Sequence, residues 1–124
     1  MHRWILATAS LLSMAAVIIG AFGAHALKGK IETDMLRVYE TGVLYHFLHA
    51  LALGLVGLAA NSDKYPHGWL KIAAILFIVG IVLFSGSLYA LSVTGIRRLG
   101  MVTPLGGLTF VAGWIALTIA ALKS

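Results

Sequence analysis

Four long apolar runs, separated by short stretches that carry the charged residues, make up most of the chain. The runs without Asp, Glu, Lys or Arg cover residues 4–27, 41–62, 72–96 and 99–122, which is 24, 22, 25 and 24 residues. A helix crossing the ~30 Å hydrocarbon core of a bilayer needs about 20 apolar residues, since each residue rises ~1.5 Å. Each run therefore predicts one transmembrane helix.

The apolar runs are continuous rather than alternating, which favours helices over the strands of a membrane barrel. The connections between the runs are short, and only Arg97 and Arg98 separate the third run from the fourth. Such short links place consecutive helices antiparallel to each other. We therefore predict an all-α fold: a polytopic membrane four-helix bundle with antiparallel neighbours, forming a single domain over residues 1–124.

The first run also has features of a secretory signal peptide. It has a basic start and an Ala24-His25-Ala26 sequence that resembles a cleavage site. The apolar stretch is longer than the roughly 7–15 residues of a signal-peptide core, however. We therefore expect a first helix that is retained.

A short amphipathic segment, residues 28–40, precedes the second run. With about 100° between successive residues of a helix, its apolar side chains gather on one face and its polar side chains on the other. The apolar face holds Ile31, Met35 and Val38, and the polar face holds Thr33, Asp34, Arg37 and Glu40. We expect this segment to lie at the membrane interface and to run into the second helix.

Composition supports a membrane location and excludes several function classes. The chain is 60% hydrophobic and 10% charged, against roughly 45–50% and about 25% in soluble domains. Its cations lie at the ends of the apolar runs, so we expect a lipid bilayer as partner and no nucleic acid. Absence of cysteine excludes disulfides and thiol chemistry. Four Lys and Arg lie on the side of the termini and five on the other, which leaves the orientation open.

The polar residues inside the runs are predicted to meet in one half of the bundle. An antiparallel arrangement brings the ends of helices one and three to the same side as the starts of helices two and four. This side, the polar end, is expected to form a candidate pocket from His25, Tyr45, His49, Tyr89, Arg97, Arg98 and Thr103. Ionisable groups within a membrane are costly, so each one suggests a role.

Three roles are open for the histidines of this pocket. They form hydrogen bonds between helices, they line a pocket that handles protons or anions, or they bind a metal or haem. His46 and His49 are three residues apart on one helix, and His25 supplies a third ligand in the last alternative. We favour the first role and predict neither a resident metal nor a cofactor.

Ser85, Gly86 and Ser87 form a second candidate feature in the middle of the third run. Serine hydroxyl groups in membrane helices bond main-chain carbonyls, and a glycine lets a neighbouring backbone approach closely. The Gly-x-Ser-x-Gly pattern of a nucleophile elbow is absent, and no acidic residue lies close in sequence. We therefore expect helix packing rather than catalysis, and no enzyme.

Small residues recur at every fourth position in two runs. One set comprises Ala16, Gly20 and Ala24, and the other comprises Ala112, Ala116 and Ala120. Such seams allow close helix crossing either within one chain or between copies. A homo-oligomer is therefore an open alternative.

Four strings in register resemble the membrane family called domain of unknown function 423, which has bacterial and animal members. They are GAFGAHALKGK (20–30), YHFLHALAL (45–53), FSGSLYALSVTGIRRLG (84–100) and TPLGGLTFVAGW (103–114). The resemblance covers nearly the whole chain and implies a multi-pass protein of a bacterial inner membrane whose biochemical role is not established. The family pattern has histidines that match His25 and His49, but none fixed at His46, which weakens the two-histidine metal hypothesis.

We therefore expect a non-enzymatic structural or accessory component of the inner membrane. The first alternative is a small oligomeric transporter or channel subunit for an uncharged or anionic solute, with Arg97 and Arg98 at its mouth. Small multidrug exporters have a similar size but rely on a glutamate within the membrane, which helix one lacks here. The second alternative is histidine-based binding of a metal or haem.

Overall fold

Four long helices form the fold in a computed structural model that describes residues 2–124. Helix α1 covers Arg3–Leu27, α2 covers Thr33–Ala59 and α3 covers His67–Thr94. Helix α4, Thr103–Leu122, follows a short 3-10 turn at Arg97–Met101. No strand occurs within residues 2–124. Each helix is long and apolar enough to cross a membrane, which confirms the predicted all-α polytopic fold.

The helices begin and end at other residues than the predicted spans, because the spans were defined by the absence of charged residues and a charged residue does not end a helix. Helix α2 begins at Thr33 and continues without a break, so residues 33–40 of the amphipathic segment form its first turns, as predicted, whereas residues 28–32 do not. Helix α3 already begins at His67, directly after Pro66. It ends at Thr94 because Gly95 adopts a left-handed conformation with a φ of 72°. Helix α4 begins at Thr103, later than predicted, with Pro104 in its first turn.

Helices α2 and α3 form the centre of the bundle. Helix α1 packs along α2, α2 packs along α3, and α3 packs along α4. Buried residues make up 44% and 39% of the most apolar windows of α2 and α3, but only 17% in α1 and 28% in α4. The fully buried side chains Leu53, Val56 and Phe77 lie on the two central helices. Helix α1 is therefore the most peripheral element.

Two glycines allow the helices to approach backbone to backbone. A Cβ atom at Gly57 of α2 would lie 3.1 Å from the Cα of Leu6 on α1. A Cβ atom at Gly106 of α4 would lie 2.7 Å from the Cα of Phe84 on α3 and would also overlap its main-chain nitrogen. Any larger residue at Gly106 must displace a helix, so this contact fixes the α3–α4 distance.

Helices α3 and α4 also interlock through two phenylalanine–glycine contacts. Phe110 of α4 fills the space above Gly80 of α3, and Phe77 of α3 fills the space above Gly113 of α4. Ala116 and Ala120 are buried as well, so this small-residue seam packs within the chain. Such interdigitation supplies the dispersion contacts that drive helix association where lipid removes the hydrophobic effect.

Candidate functional site: an interhelical polar seam

His49 lies near the middle of α2 and is only 6% exposed. Its ring stacks on Phe110 of α4, with centroids 3.6 Å apart and an interplanar angle of 10°. The indole Nε1 of Trp114 donates a hydrogen bond of 3.1 Å to its Nε2. His49 therefore joins α2 to α4 through both a stacked contact and a hydrogen bond.

The partners of His49 define which of its nitrogens carries the proton. The Trp114 indole is only a donor, so Nε2 must accept and is unprotonated. Nδ1 then carries the proton and donates to the Tyr45 carbonyl, 2.8 Å away. Because both nitrogens are engaged, His49 is satisfied as a neutral imidazole, and its Nε2 lone pair is not free for a metal.

His46 is buried on another side of α2, three residues before His49. It is 3% exposed, and its Nδ1 lies 2.8 Å from the hydroxyl group of Tyr89 on α3. The Tyr89 ring packs against Gly42 of α2, where a side chain would exclude it. This contact forms a second polar bridge, between α2 and α3.

The Nε2 atom of His46 has no hydrogen-bond partner, although it is fully buried. The His46 ring also lies near the main chain of Leu12 on α1, but its Nε2 atom forms no hydrogen bond there. An unpartnered buried polar atom costs about 1–3 kcal/mol. His46 is therefore hydrogen-bonded on the side that faces α3 but not on the side that faces α1.

Ser85 and Ser87 bond to different neighbouring helices. Ser85 is fully buried and donates to the Gly42 carbonyl of α2 at 2.7 Å. Ser87 donates to the Phe84 carbonyl at 2.8 Å, so the Thr103 hydroxyl of α4 donates the 2.6 Å bond to Ser87. Gly86, predicted as a close-approach position, faces open space instead.

Tyr39 attaches the peripheral helix α1. Its hydroxyl group donates to the Ile19 carbonyl at 2.5 Å, and its ring covers Gly23 at the start of a π-helical turn, Gly23–Leu27. Tyr39 was not among the site residues predicted from the sequence. Its signal was an aromatic residue with a hydroxyl group on the otherwise apolar face of the segment 28–40.

These contacts form what we call the polar seam, five interhelical hydrogen bonds that together reach all four helices. They join Tyr39 to Ile19, Gly42 to Ser85, His46 to Tyr89, His49 to Trp114 and Ser87 to Thr103. Trp114 was also missed from the sequence, although a tryptophan deep in a membrane run needs a partner for its N–H group.

The structure divides the predicted polar-end pocket. Tyr89 and Thr103 belong to the seam, and His49 joins it from the middle of the bundle rather than from its end. Tyr45 is 38% exposed and reaches His49 mainly through its carbonyl group. The remaining members, His25, Arg97 and Arg98, are exposed. They lie on the turn that ends α1 and on the turn before α4.

Within residues 2–124, no group of three or more His, Asp or Glu side chains has the spacing of a metal site. His25, His46 and His49 are thus not brought together as one ligand set. The chemistry that the seam shows is hydrogen bonding between helices, with carbonyl, hydroxyl, imidazole and indole groups as partners. Together with the four apolar helices, the seam defines a polytopic helical membrane protein.

Comparison with known proteins places the chain in a family. The family model described as "Protein of unknown function (DUF423)" matches residues 19–107, and the chain belongs to this family. The UPF0382 membrane protein YwdK of Bacillus subtilis is 52% identical over 112 residues, covering 90% of this chain and 89% of the relative. UPF0382 membrane proteins of Staphylococcus haemolyticus and Staphylococcus aureus are 43% and 45% identical over 114 residues, covering 92% of this chain and 91% of each relative.

No solved structure matches the chain. The family and its membrane-protein relatives confirm the resemblance seen in the four sequence strings. The relatives are named membrane proteins of bacteria, and apolar helices, unlike barrel strands, are typical of the bacterial cell (inner) membrane. The chain is therefore a multi-pass protein of the inner membrane.

Proposed function

We propose that this protein is a non-enzymatic accessory component of the inner membrane, whose buried polar residues hold its helices together. The observation that carries the proposal is the bonding of His49. Its two nitrogens are engaged by Trp114 and Tyr45, and Phe110 covers its ring. A catalytic base or a metal ligand needs a free nitrogen facing a substrate or ion.

The other seam residues support the same role. Ser85 is the serine that would be considered first as a nucleophile. It is fully buried, and its hydroxyl group donates to a main-chain carbonyl. Ser87 and Thr103 satisfy each other. Groups in such paired positions stabilise a fold, because a buried polar group without a partner would cost free energy.

Transport of an uncharged or anionic solute has weaker support. Arg97 and Arg98, the cations expected at a mouth, are exposed on the turn before α4. Seen from this turn, the space between α3 and α4 is filled by Phe84 against Gly106 and by Phe110 against Gly80. A solute path here would require α3 and α4 to separate.

Paired histidine variants test the proposal. His49→Ala should lower the thermal unfolding midpoint in detergent, whereas His25→Ala should not, because His25 is exposed. The same samples are reconstituted into liposomes to measure flux of glycerol and chloride, and they are examined for bound metal and for a haem spectrum. Flux or stoichiometric metal that His49→Ala abolishes in a folded protein would contradict a purely structural role.

A further inference from the structure

A groove of about 560 Å³ lies between α1 and α2 on the peripheral side of the bundle. This volume is within the roughly 300–1,000 Å³ typical of ligand sites. Its α1 wall consists of the small residues Gly20, Gly23 and Ala24. Its α2 wall is apolar and includes Val43 and Phe47. The groove is therefore shaped for an apolar chain rather than for a polar solute.

The mouth of the groove carries one charge of each sign. Lys28 follows the π-helical turn that ends α1, and Glu40 projects from α2; both line the groove and both are exposed. These residues belong to the interfacial part of the helices, where headgroups lie. The ammonium of Lys28 fits a phosphate group, and the carboxylate of Glu40 fits an ammonium group.

The groove below its mouth is long enough to hold most of one acyl chain within a leaflet. On α2 its lining continues from Glu40, at the headgroup, to Leu48, a rise of about 12 Å at ~1.5 Å per residue. Half of the ~30 Å hydrocarbon core is about 15 Å. A single acyl chain that starts at the headgroup level would fill the groove to its inner end.

The wall at the mouth is also fixed in place. Tyr39 lines the groove while its hydroxyl group bonds the Ile19 carbonyl and its ring covers Gly23. The adjoining turn Gly23–Leu27 is π-helical, a conformation found frequently at functional sites. This turn places Lys28 above the groove without interrupting α1.

We propose that the groove binds one phospholipid with a phosphoethanolamine headgroup. Its acyl chain lies along Gly20 and Val43, its phosphate meets Lys28, and its primary ammonium donates to Glu40. An anionic headgroup without an amine would satisfy only Lys28 and would meet the like charge of Glu40. The site shares Tyr39 with the polar seam, but neither His46 nor His49 lines it.

Photolabelling with two matched lipids tests the site in the full-length protein. Phosphatidylethanolamine and phosphatidylglycerol, each with a diazirine midway along one acyl chain, are added to nanodiscs of phosphatidylcholine. Mass spectrometry then maps the labelled residues. The ethanolamine lipid should label positions around Val43 and Phe47 about fivefold more than the glycerol lipid. The lipid-facing residues Leu108 and Val111 of α4 serve as controls and should label equally from both lipids.

Charge variants locate the headgroup. Lys28→Gln and Glu40→Gln should each reduce groove labelling by the ethanolamine lipid about fivefold. Lys30→Gln and Glu32→Gln are matched controls, because these exposed residues do not line the groove, and they should leave labelling unchanged. Circular dichroism verifies that each variant is folded.

A filling variant tests the groove itself. Ala24→Trp places a large ring in the groove and should abolish labelling at Val43, whereas Leu108→Trp on the exposed face of α4 should not. Equal groove labelling by the two lipids in the wild-type protein would overturn the headgroup assignment. Labelling of Val43 no stronger than that of Leu108 would overturn the site, whatever the variants do.

Discussion

The two sides of α2 are packed very differently. Toward α3 and α4, His49 has partners for both nitrogens and a stacked ring, and Ser85 donates to the Gly42 carbonyl. Toward α1, Gly57 packs against the Leu6 main chain, but the Nε2 atom of His46 has no partner, and an open groove runs along the other end of this interface. The side of α2 with paired polar groups is called the rigid side below, and the side with the unpartnered atom and the groove is called the loose side.

The comparison shows that two histidines on the same membrane helix can have different structural roles. His46 and His49 are three residues apart, yet one completes a hydrogen-bonded aromatic cluster and the other retains an unsatisfied atom. What differs is the partner helix. Helices α3 and α4 offer aromatic rings and an N–H donor, whereas α1 offers main chain and small side chains. The rigid side should therefore dominate stability.

The largest effect is expected from Gly106→Ala. The added methyl group overlaps the main chain of Phe84, so we expect a loss of about 2–3 kcal/mol in the free energy of unfolding. Denaturant titration in mixed micelles measures this loss. Gly107→Ala is the matched control, because its Cβ would lie 3.9 Å from the Phe84 ring. Equal stability of the two variants would show that α3 and α4 are not held at backbone distance.

An intermediate effect is expected from the His46–Tyr89 pair. His46→Leu leaves the Tyr89 hydroxyl group without its partner and, net of removing the unpartnered Nε2 atom, should cost about 1–2 kcal/mol of unfolding free energy. Adding Tyr89→Phe also removes the unpartnered hydroxyl group and should recover most of the lost unfolding free energy. A double variant less stable than His46→Leu, in the same titration, would argue against this pairing.

Tyr39→Phe should have a smaller effect, on the loose side of α2. The change removes the bond to the Ile19 carbonyl but keeps the ring over Gly23, so we expect a loss of about 0.5–1 kcal/mol. Hydrogen exchange should rise in α1 and remain unchanged in α4. Exchange that rises equally in both helices would mean that the two sides unfold together.

The smallest effects are expected at the exposed members of the predicted pocket. His25→Ala and Arg97→Gln should each change the unfolding free energy by no more than about 0.5 kcal/mol, since neither residue is buried. Thermal unfolding in detergent provides the measurement. A larger loss at His25 would place it in a contact that the structure does not show.

The helices themselves could be predicted from the sequence, because length and apolarity alone decide what crosses a bilayer. The apolar run alone placed the start of α2 too late, since charged residues such as Asp34 and Arg37 end an apolar run without ending a helix, but the amphipathic pattern of residues 28–40 correctly indicated that the helix continues. The left-handed conformation of Gly95 and the position of Pro104 decide the α3–α4 connection instead.

Much of the site depends on how each helix is rotated about its own axis. The pattern of apolar and polar residues along the chain does not define this rotation. The sequence placed His49 and Tyr89 in one pocket, but which ring meets which partner is set by Gly42, Gly80 and Gly113. These glycines admit Tyr89, Phe110 and Phe77, and the packed rings then direct His49 toward Trp114. The π-helical turns, Gly23–Leu27 in α1 and Ile81–Ser85 in α3, have no signal in the sequence pattern.

A double-mutant cycle between His49 and Trp114 tests the structural role most directly. His49→Phe and Trp114→Phe both keep an aromatic ring, so their coupling isolates the N–H···N hydrogen bond between α2 and α4. We predict a coupling free energy of about 0.6–1.7 kcal/mol, the size found for interhelical bonds in membranes. A coupling of zero, with both single variants folded, would contradict the claim that His49 holds the helices together.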